Sequence, residues 1–281
     1  MGSYLRPNTL DAALAALSAG PRAVLAGGTD HYPARAADAP EEDILDISAL
    51  PGLRAIAAHG DHWWLPCQAT WSDLIAADLP GAFDALRQAA RQVGSAQVQN
   101  AGTIVGNLCN ASPAADGVPC LLALDAVVRL ASRGGAREVG VADFLLAPRR
   151  TARRPDELVL GLKVPRHDRP VRSAFLKLGA RRYLVISIAM VAAAIECAPD
   201  GAIAAARIAV GACGPVATRL PALEAALRGH RPDPALVRPE HLAALAPIDD
   251  IRAPAAYRRA AALELARRAV AALAQPGRAA G

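Results

Sequence analysis

The sequence predicts an α+β chain, two small α/β subdomains that share a ligand followed by a C-terminal α+β domain built on an antiparallel sheet. Three observations carry this. Strand and helix patterns alternate along the first fifty residues, a pattern of α/β units. Residues 97–116 concentrate glycines, hydroxyls and amides with few bulky core residues, which suits a ligand cradle better than a core element. Beyond the proline-bearing stretch 165–170, three long apolar runs joined by short turns are followed by helical patterns.

Bulk properties restrict the alternatives. At 281 residues the chain has room for one large domain or two to three small ones. Hydrophobic content of 53% rests on alanine, with aromatics at 4%, so close packing through small side chains is expected. Lys163 and Lys177 are the only lysines, so the arginine content reflects composition rather than selection for arginine chemistry. Net charge is +5, and the basic residues are scattered or paired with few aromatics between them, which argues against a nucleic-acid face. The longest apolar run, 183–197, is too short to span a bilayer, and Arg6, Pro7 and Asp11 stand where a signal peptide would carry an apolar run. A cytoplasmic protein without a membrane span is expected. The cysteines Cys67, Cys109, Cys120, Cys197 and Cys213 are far apart, and the histidines are equally dispersed, so no cluster or zinc site is expected in this chain.

Taken in order, Thr9 is placed to cap a helix through Leu10, Leu14 and Leu17 that Gly20 stops. A short strand at 23–26 runs into Gly27-Gly28-Thr29-Asp30, with a helix expected from there to about Ala37. Strand, glycine pair and helix start together present backbone donors to an anion, although an isolated Gly-Gly-Thr is more often a plain turn. Strands are expected at 44–47, 53–57 and 62–66, the last two joined at Gly60-Asp61. Thr70 can cap a helix through Trp71, Leu74 and Ile75, and Phe83, Leu86, Ala90 and Val93 mark another. Trp63, Trp64 and Trp71 read as packing residues. After the nest come a helix through 121–124, a hairpin of 126–130 and 136–141, and a strand at 158–164. Strands at 173–178, 183–197 and 202–210 and helices at 220–227, 240–245 and 255–273 complete the chain, and the tail 275–281 is expected to be disordered.

Two glycine-rich, hydroxyl-bearing loops in different α/β units suit one ligand with two phosphates clasped between subdomains. A dinucleotide fits that description. No Gly-x-Gly-x-x-Gly follows a strand and no Gly-Lys-Ser/Thr occurs, so neither a Rossmann site nor a P-loop supplies it.

Ala26-Gly27-Gly28-Thr29-Asp30, Thr103-Ile104-Val105-Gly106-Asn107-Leu108 and Ala111-Ser112-Pro113-Ala114-Ala115-Asp116 together resemble the paired motifs of the FAD-binding (medium) subunit of the molybdenum hydroxylases, the family of xanthine dehydrogenase and the aerobic carbon monoxide dehydrogenase flavoprotein. The resemblance continues through Asp156-Glu157-Leu158-Val159, Lys177 with Arg181-Arg182, Gly214-Pro215-Val216-Ala217-Thr218-Arg219 and Asp249-Asp250-Ile251-Arg252 ahead of Tyr257-Arg258, and so covers nearly the whole chain in order. It implies a PCMH-type FAD-binding domain like that of vanillyl-alcohol oxidase over residues 1–168, with subdomains of about 1–56 and 57–168, and a CO dehydrogenase flavoprotein-type domain over 169–281.

The resemblance also implies roles. Ala26, Gly27, Gly28, Thr29 and Asp30 would meet the FAD diphosphate from one side, and Gly102, Thr103, Gly106 and Asn107, with Cys109 as a small filler, from the other. Asp116 would hydrogen-bond the ribityl chain, Leu158 and Val159 would line the adenine or flavin neighbourhood, Lys177 would stand near the flavin, and Tyr183 would cover a ring face. Val105 departs from the Gly-Gly the family usually carries. A β-branched residue takes a positive φ only at a cost, so either it sits in ordinary backbone with its N–H inward or the loop is displaced. His31 could tether a flavin covalently, but a simple surface or helix-start histidine is the ordinary reading.

The function implied is electron transfer. FAD in this chain would collect electrons from 2Fe-2S clusters in a small partner subunit, downstream of a large molybdopterin subunit, and pass them to NAD or a quinone, with a dimer of heterotrimers as the family's assembly. No catalytic acid or base is sought. The alternatives are a self-sufficient flavin reductase of the same fold, whose proton donor would come from Ser95, Cys109, Ser112 or Tyr183, and a non-redox nucleotide-binding scaffold.

Overall fold

The computed structural model describes residues 2–34 and 41–274. The N-terminal unit is a small parallel sheet. Strands β1 (Tyr4–Leu5) and β2 (Ala23–Leu25) both pair with β3 (Ile44–Asp46), which lies between them. Helix α1 (Leu10–Ala19) buries Ala13, Leu14 and Leu17; the Thr9 side chain accepts from Ala12 N–H at its start, and Gly20 ends it, as its sequence predicts. The helix expected after Gly28 does not form: residues 29–34 make turns, because Pro33 lacks an N–H and restricts the residue before it. The rest of that expected helix lies outside the described residues, as does the tail 275–281.

The second unit is an antiparallel sheet. Its strands are β4 (Ala57–Ala58), β5 (His62–Pro66), β6 (Val127–Ser132), β7 (Gly135–Gly140) and β10 (Leu158–Pro165), in the order β4-β5-β10-β6-β7. A strand over 53–57 does not form. Gln68 takes its own N–H to Leu53 O and its amide to Ile47 O and Leu50 O, which turns that segment into a folded corner. A two-stranded ribbon, β8 (Leu145–Ala147) with β9 (Arg150–Thr151), and a short helix α7 (Val141–Phe144) went unread in the sequence because they are brief.

A series of short helices connects β5 to β6 in the chain. α2 (Trp71–Ala76) opens on a reciprocal capping box of Thr70 and Asp73. α3 (Asp84–Ala90) follows a single 3₁₀ turn (Gly81–Phe83). The nest itself is two helices, α4 (Ala96–Ala101) and α5 (Ile104–Asn110), and α6 (Gly117–Ala123) leaves it. The nest is therefore less alien to the core than its composition implies, since Ile104, Val105 and Leu108 are buried.

The C-terminal sheet runs β11 (Val171–Leu178), β12 (Ala189–Cys197), β13 (Ile203–Gly211) and β14 (Thr218–Arg219), all antiparallel neighbours in that order. Its alternation decides the packing. Met190, Ala192 and Ala194 of β12 face the core shared with the preceding units, while Ala189, Val191, Ala193 and Ile195 face a second core under α8 (Pro221–Leu227) and α9 (Ala255–Ala274). Burial on both faces explains why β12 reads as an unbroken apolar run. The expected start of that strand at Tyr183 is corrected: residues 179–188 form a loop, closed at its base by Ile188 N–H to Leu178 O at 2.7 Å. The helix expected at 240–245 is a 3₁₀ turn, Pro239–Leu242. On α9 the buried face is Arg258, Ala262, Leu265, Ala266, Ala269, Val270 and Leu273, with Leu263 only partly covered.

Candidate functional site

The strand β2 delivers the first loop, and the end of α4 meets it. A Cβ on Gly27 would lie 1.9 Å from Ala101 O, and one on Gly102 would lie 3.1 Å from Thr29 Oγ1 and 2.9 Å from Val98 O. Glycine at both places is what lets the two loops touch. Gly28 takes φ +69°, the left-handed region that glycine enters without penalty.

On the other side Thr103 caps α5, its hydroxyl accepting from Gly106 N–H at 2.9 Å. Ile104 N–H goes to Ala69 O and Asn107 N–H to Thr103 O. Val105 is helical, in ordinary backbone with no positive φ, and only 4% exposed. Among the described residues, the N–H groups of Gly27, Gly28, Thr29 and Val105 have no protein acceptor. Donors left unpaired in two facing loops are what an anionic ligand requires.

Between the loops lies a cavity of about 650 Å³. That falls within the range of roughly 300–1,000 Å³ typical of small-molecule and cofactor sites. The residues singled out in the sequence from Ala26 to Asp30, together with Gly102, Thr103, Gly106, Asn107, Cys109, Asp116, Leu158 and Val159, all line it. Lys177 and Tyr183 do not. Lys177 stands one residue back, its Nζ 2.6 Å from Asp116 Oδ2, while Tyr183 is 64% exposed beside Arg182. A second hollow, about 730 Å³ between Arg22 and the carboxylates of Glu41, Glu42 and Asp43, presents more negative than positive charge and suits no anion.

Several lining residues were not legible in the sequence. Arg149 and Arg153, which the sequence offers only as members of short basic pairs, line the cavity, as do Val185 and Ile186 of the loop 179–188. Arg149 has φ +60°, and its guanidinium donates to Asn110 Oδ1 while Asn110 Nδ2 donates to Asp30 Oδ2 at 2.8 Å. That chain ties the two nest loops together at the mouth. Asp116 accepts from Ser187 Oγ at 2.6 Å as well as from Lys177. Burial pushes its carboxyl above the ordinary value, and the Lys177 ammonium pulls it partly back. Burial also pushes the Cys109 thiol up to about 12, which leaves it a neutral filler.

Residues 1–167 match the family model described as the FAD binding domain in molybdopterin dehydrogenase, and residues 174–273 match the CO dehydrogenase flavoprotein C-terminal domain. The chain belongs to the family of FAD-binding medium subunits of the molybdenum hydroxylases. Among relatives, the nicotinate dehydrogenase FAD-subunit of Eubacterium barkeri is 36% identical over 174 residues, 60% of this chain and 58% of that one. The match thus spans less than two thirds of that relative. The xanthine dehydrogenase FAD-binding subunit of Escherichia coli O157:H7 is 30% identical over 77% of this chain and 76% of its own. The solved carbon monoxide dehydrogenase of Hydrogenophaga pseudoflava, in a form that lacks the Mo-pyranopterin moiety, superimposes with a TM-score of 0.90 at 28% identity, covering 96% of each chain.

The molybdenum-hydroxylase flavoprotein fold accounts for the way two separate glycine loops face one cavity. The residues present fit FAD: N–H donors that are unpaired among the described residues and two arginines lie among the residues lining the cavity, as a diphosphate requires, and apolar Leu158, Val159 and Val185 line it too. Among the described residues there is no group of histidine, cysteine and carboxylate side chains that could hold a metal ion, and no helix long and apolar enough to cross a membrane.

Proposed function

We propose that this chain is the flavin-carrying electron-transfer subunit of a multi-subunit molybdenum hydroxylase, taking electrons from 2Fe-2S clusters in a small partner and releasing them to an acceptor such as NAD or a quinone. The observation that carries the reading is the pair of loops with unpaired backbone donors on opposite sides of one cavity. Bound FAD supplies the step between one-electron and two-electron chemistry. The chain's own residues then have binding and positioning work. Gly27, Gly28, Thr29 and the first turn of α5 hold the diphosphate, Arg149 and Arg153 balance its charge, and Asp116, fixed by Lys177 and Ser187, orients the chain between phosphate and ring. A large molybdenum subunit and a dimer of heterotrimers complete the proposed assembly.

A self-sufficient reductase needs an acidic proton donor aimed at its substrate, and the candidates are poorly placed or weakly acidic. Ser95 and Tyr183 do not line the cavity, burial makes the Cys109 thiol a weak acid, and Ser112 is an alcohol whose oxygen accepts from Ala114 N–H. The test is an absorbance spectrum of the purified chain before and after addition of FAD. Retained flavin that dithionite bleaches, but that NADPH with candidate substrates does not turn over, is the expected result. Steady substrate reduction by the chain alone would overturn it, as would failure to retain flavin under any condition.

A further inference from the structure

Asp249-Asp250-Ile251-Arg252 and Tyr257-Arg258 do not line the cavity, yet they build one clamp. Asp249 Oδ1 accepts from the N–H of Ala255, the first residue of α9. Asp250 folds the turn before that helix: its Oδ1 accepts from the N–H groups of Arg252 at 2.7 Å and Ala253 at 3.3 Å, and its Oδ2 from the Arg252 guanidinium at 3.0 Å. The same Oδ1 takes Arg258 Nη2 at 2.6 Å. Arg258 is thereby drawn inward from the first turn of α9 and is only 3% exposed. A buried guanidinium needs a counter-charge and an acceptor for each donor. Asp250 is the counter-charge, and three backbone carbonyls are the acceptors. Nη1 donates to Ile188 O at 2.7 Å and Ala212 O at 3.2 Å, and Nε donates to Ala253 O at 3.3 Å.

Two of those carbonyls belong to segments that carry the cavity wall. Ile188 follows Ser187, whose hydroxyl donates to Asp116 Oδ1 at 2.6 Å. Ala212 donates its own N–H to Pro113 O at 2.9 Å, inside the run 112–116, of which Ser112, Ala114, Ala115 and Asp116 line the cavity. Ala212 also holds φ +59°, a region that residues with a side chain rarely adopt, and bonds at both its N–H and its C=O fix it there. A Cβ on the adjoining Gly211 would lie 2.9 Å from Pro119 Cγ, so β13 ends in contact with the start of α6. One guanidinium therefore joins the two supports that reach residues 112–116 from behind.

We propose that Arg258, aimed by Asp250, is a positioning residue for the cofactor, setting Asp116 and the 112–116 wall through Ser187-Ile188 and through Ala212 without touching the ligand. The proposal rests on the reading of the cavity as a flavin site. Arginine suits the task because its planar fork presents donors in fixed directions, two nitrogens meeting three carbonyls while the third meets the carboxylate. A lysine ammonium, a single point of donation, cannot span those partners. The two neighbouring carboxylates then have separate tasks: Asp249 holds the start of α9, and Asp250 aims Arg258.

The test compares Arg258→Met, Arg258→Lys and Asp250→Asn with two controls, Asp249→Ala and Leu273→Ala, which loosen the start and the far end of α9 and leave the partners of Arg258 in place. FAD affinity is read by fluorescence titration beside a thermal melt. Arg258→Met should raise the FAD Kd by roughly ten-fold, Arg258→Lys and Asp250→Asn by about three-fold or more, and the controls by less than about two-fold at an equal loss of Tm. Asp250→Asn combined with Ser187→Ala should raise Kd by less than the product of the single effects, because both act on Asp116. Should Arg258→Met fail to fold, the other two clamp variants carry the comparison. Wild-type affinity in folded Asp250→Asn and Arg258→Lys, full multiplication in the double variant, or Kd changes that follow Tm alike in clamp and control variants would each overturn the proposal. A second readout needs no flavin. In the cofactor-free chain, hydrogen exchange at the amides of Ala212, Ala115 and Val118 should speed by roughly ten-fold in Asp250→Asn and Arg258→Lys but not in Leu273→Ala, and unchanged exchange would also overturn the proposal. Failure of the wild-type chain to take up FAD would overturn the flavin reading and leave the exchange comparison standing, so the two failures are distinguishable.

Discussion

Lys177 Nζ lies 2.6 Å from Asp116 Oδ2, joining β11 of the C-terminal sheet to the last residue of the nest, with only 5% and 8% of the two side chains exposed. The pair crosses the boundary between the two units and holds one wall of the cavity. Removing one member of such a pair leaves the other buried and uncompensated. Asp116→Asn strands an ammonium and should cost roughly 3 kcal/mol. Lys177→Met leaves a carboxyl whose pKa is already raised by burial and which can take up a proton, so its loss should be smaller. Urea unfolding of both variants and the double variant gives the order, and a larger loss for Lys177→Met would contradict it.

Val105 supplies a prediction opposite to what its place in the motif suggests. It is buried in the first turn of α5, with its N–H already free of protein acceptors among the described residues. Val105→Gly should therefore leave FAD affinity unchanged and destabilise the chain by roughly 3 kcal/mol, the sum of lost apolar burial and poorer helix propensity. A flavin fluorescence titration beside a thermal melt checks both halves.

Gly27 behaves differently. Its missing Cβ is the space occupied by Ala101 O at 1.9 Å, and that contact is backbone on both sides. Gly27→Ala must push the loops apart, at about 1–3 kcal/mol of strain, and should weaken FAD binding at least ten-fold. Wild-type affinity in a folded Gly27→Ala chain would mean the loops are not held by this approach.

His167 gives the chain a pH dependence. It lies in the link between β10 and β11, 3.2 Å by Nδ1 from Arg207 Nη2 and 3.3 Å from Glu196 Oε1. Burial, then the Arg207 guanidinium, holds its pKa below the ordinary 6.5, while Glu196, Asp125 and Asp168 pull the other way without prevailing. A histidine kept neutral on folding contributes its stability above the unfolded value. That contribution is lost as pH falls from about 6.5 through the depressed folded value, because the unfolded chain takes up the proton first. The Tm difference between wild type and His167→Gln should be flat above pH 7 and shrink below 6.5. A difference that grows on acidification would reverse the assignment.

Much of the site was legible before any tertiary structure. Glycine pairs and short hydroxyl residues act over a few residues, so the two nest loops around Gly27-Gly28-Thr29 and Gly102-Thr103 declare themselves by local chemistry, while the Thr103 cap emerged only with the helix it starts. The Thr9 and Thr70 helix starts were legible too, where a side-chain oxygen meets an N–H only three residues away. Alternation and turn spacing were enough for the hairpin at Gly135 and the antiparallel β11, β12 and β13.

Tertiary structure alone decided what depends on distant partners. Residues 183–188 have strand composition, yet Asp116, seventy-one positions from Ser187, draws them off the sheet and makes them a cavity wall. Arg149 looked solvated until Asn110, thirty-nine positions away, received it. Lys177 stands behind Asp116 rather than in the cavity because the carboxylate, already desolvated, binds the nearest cation. The sequence by itself determined which segments offer hydrogen bonds; the pairing of buried groups from distant parts of the chain determined which of those bonds remain for a ligand.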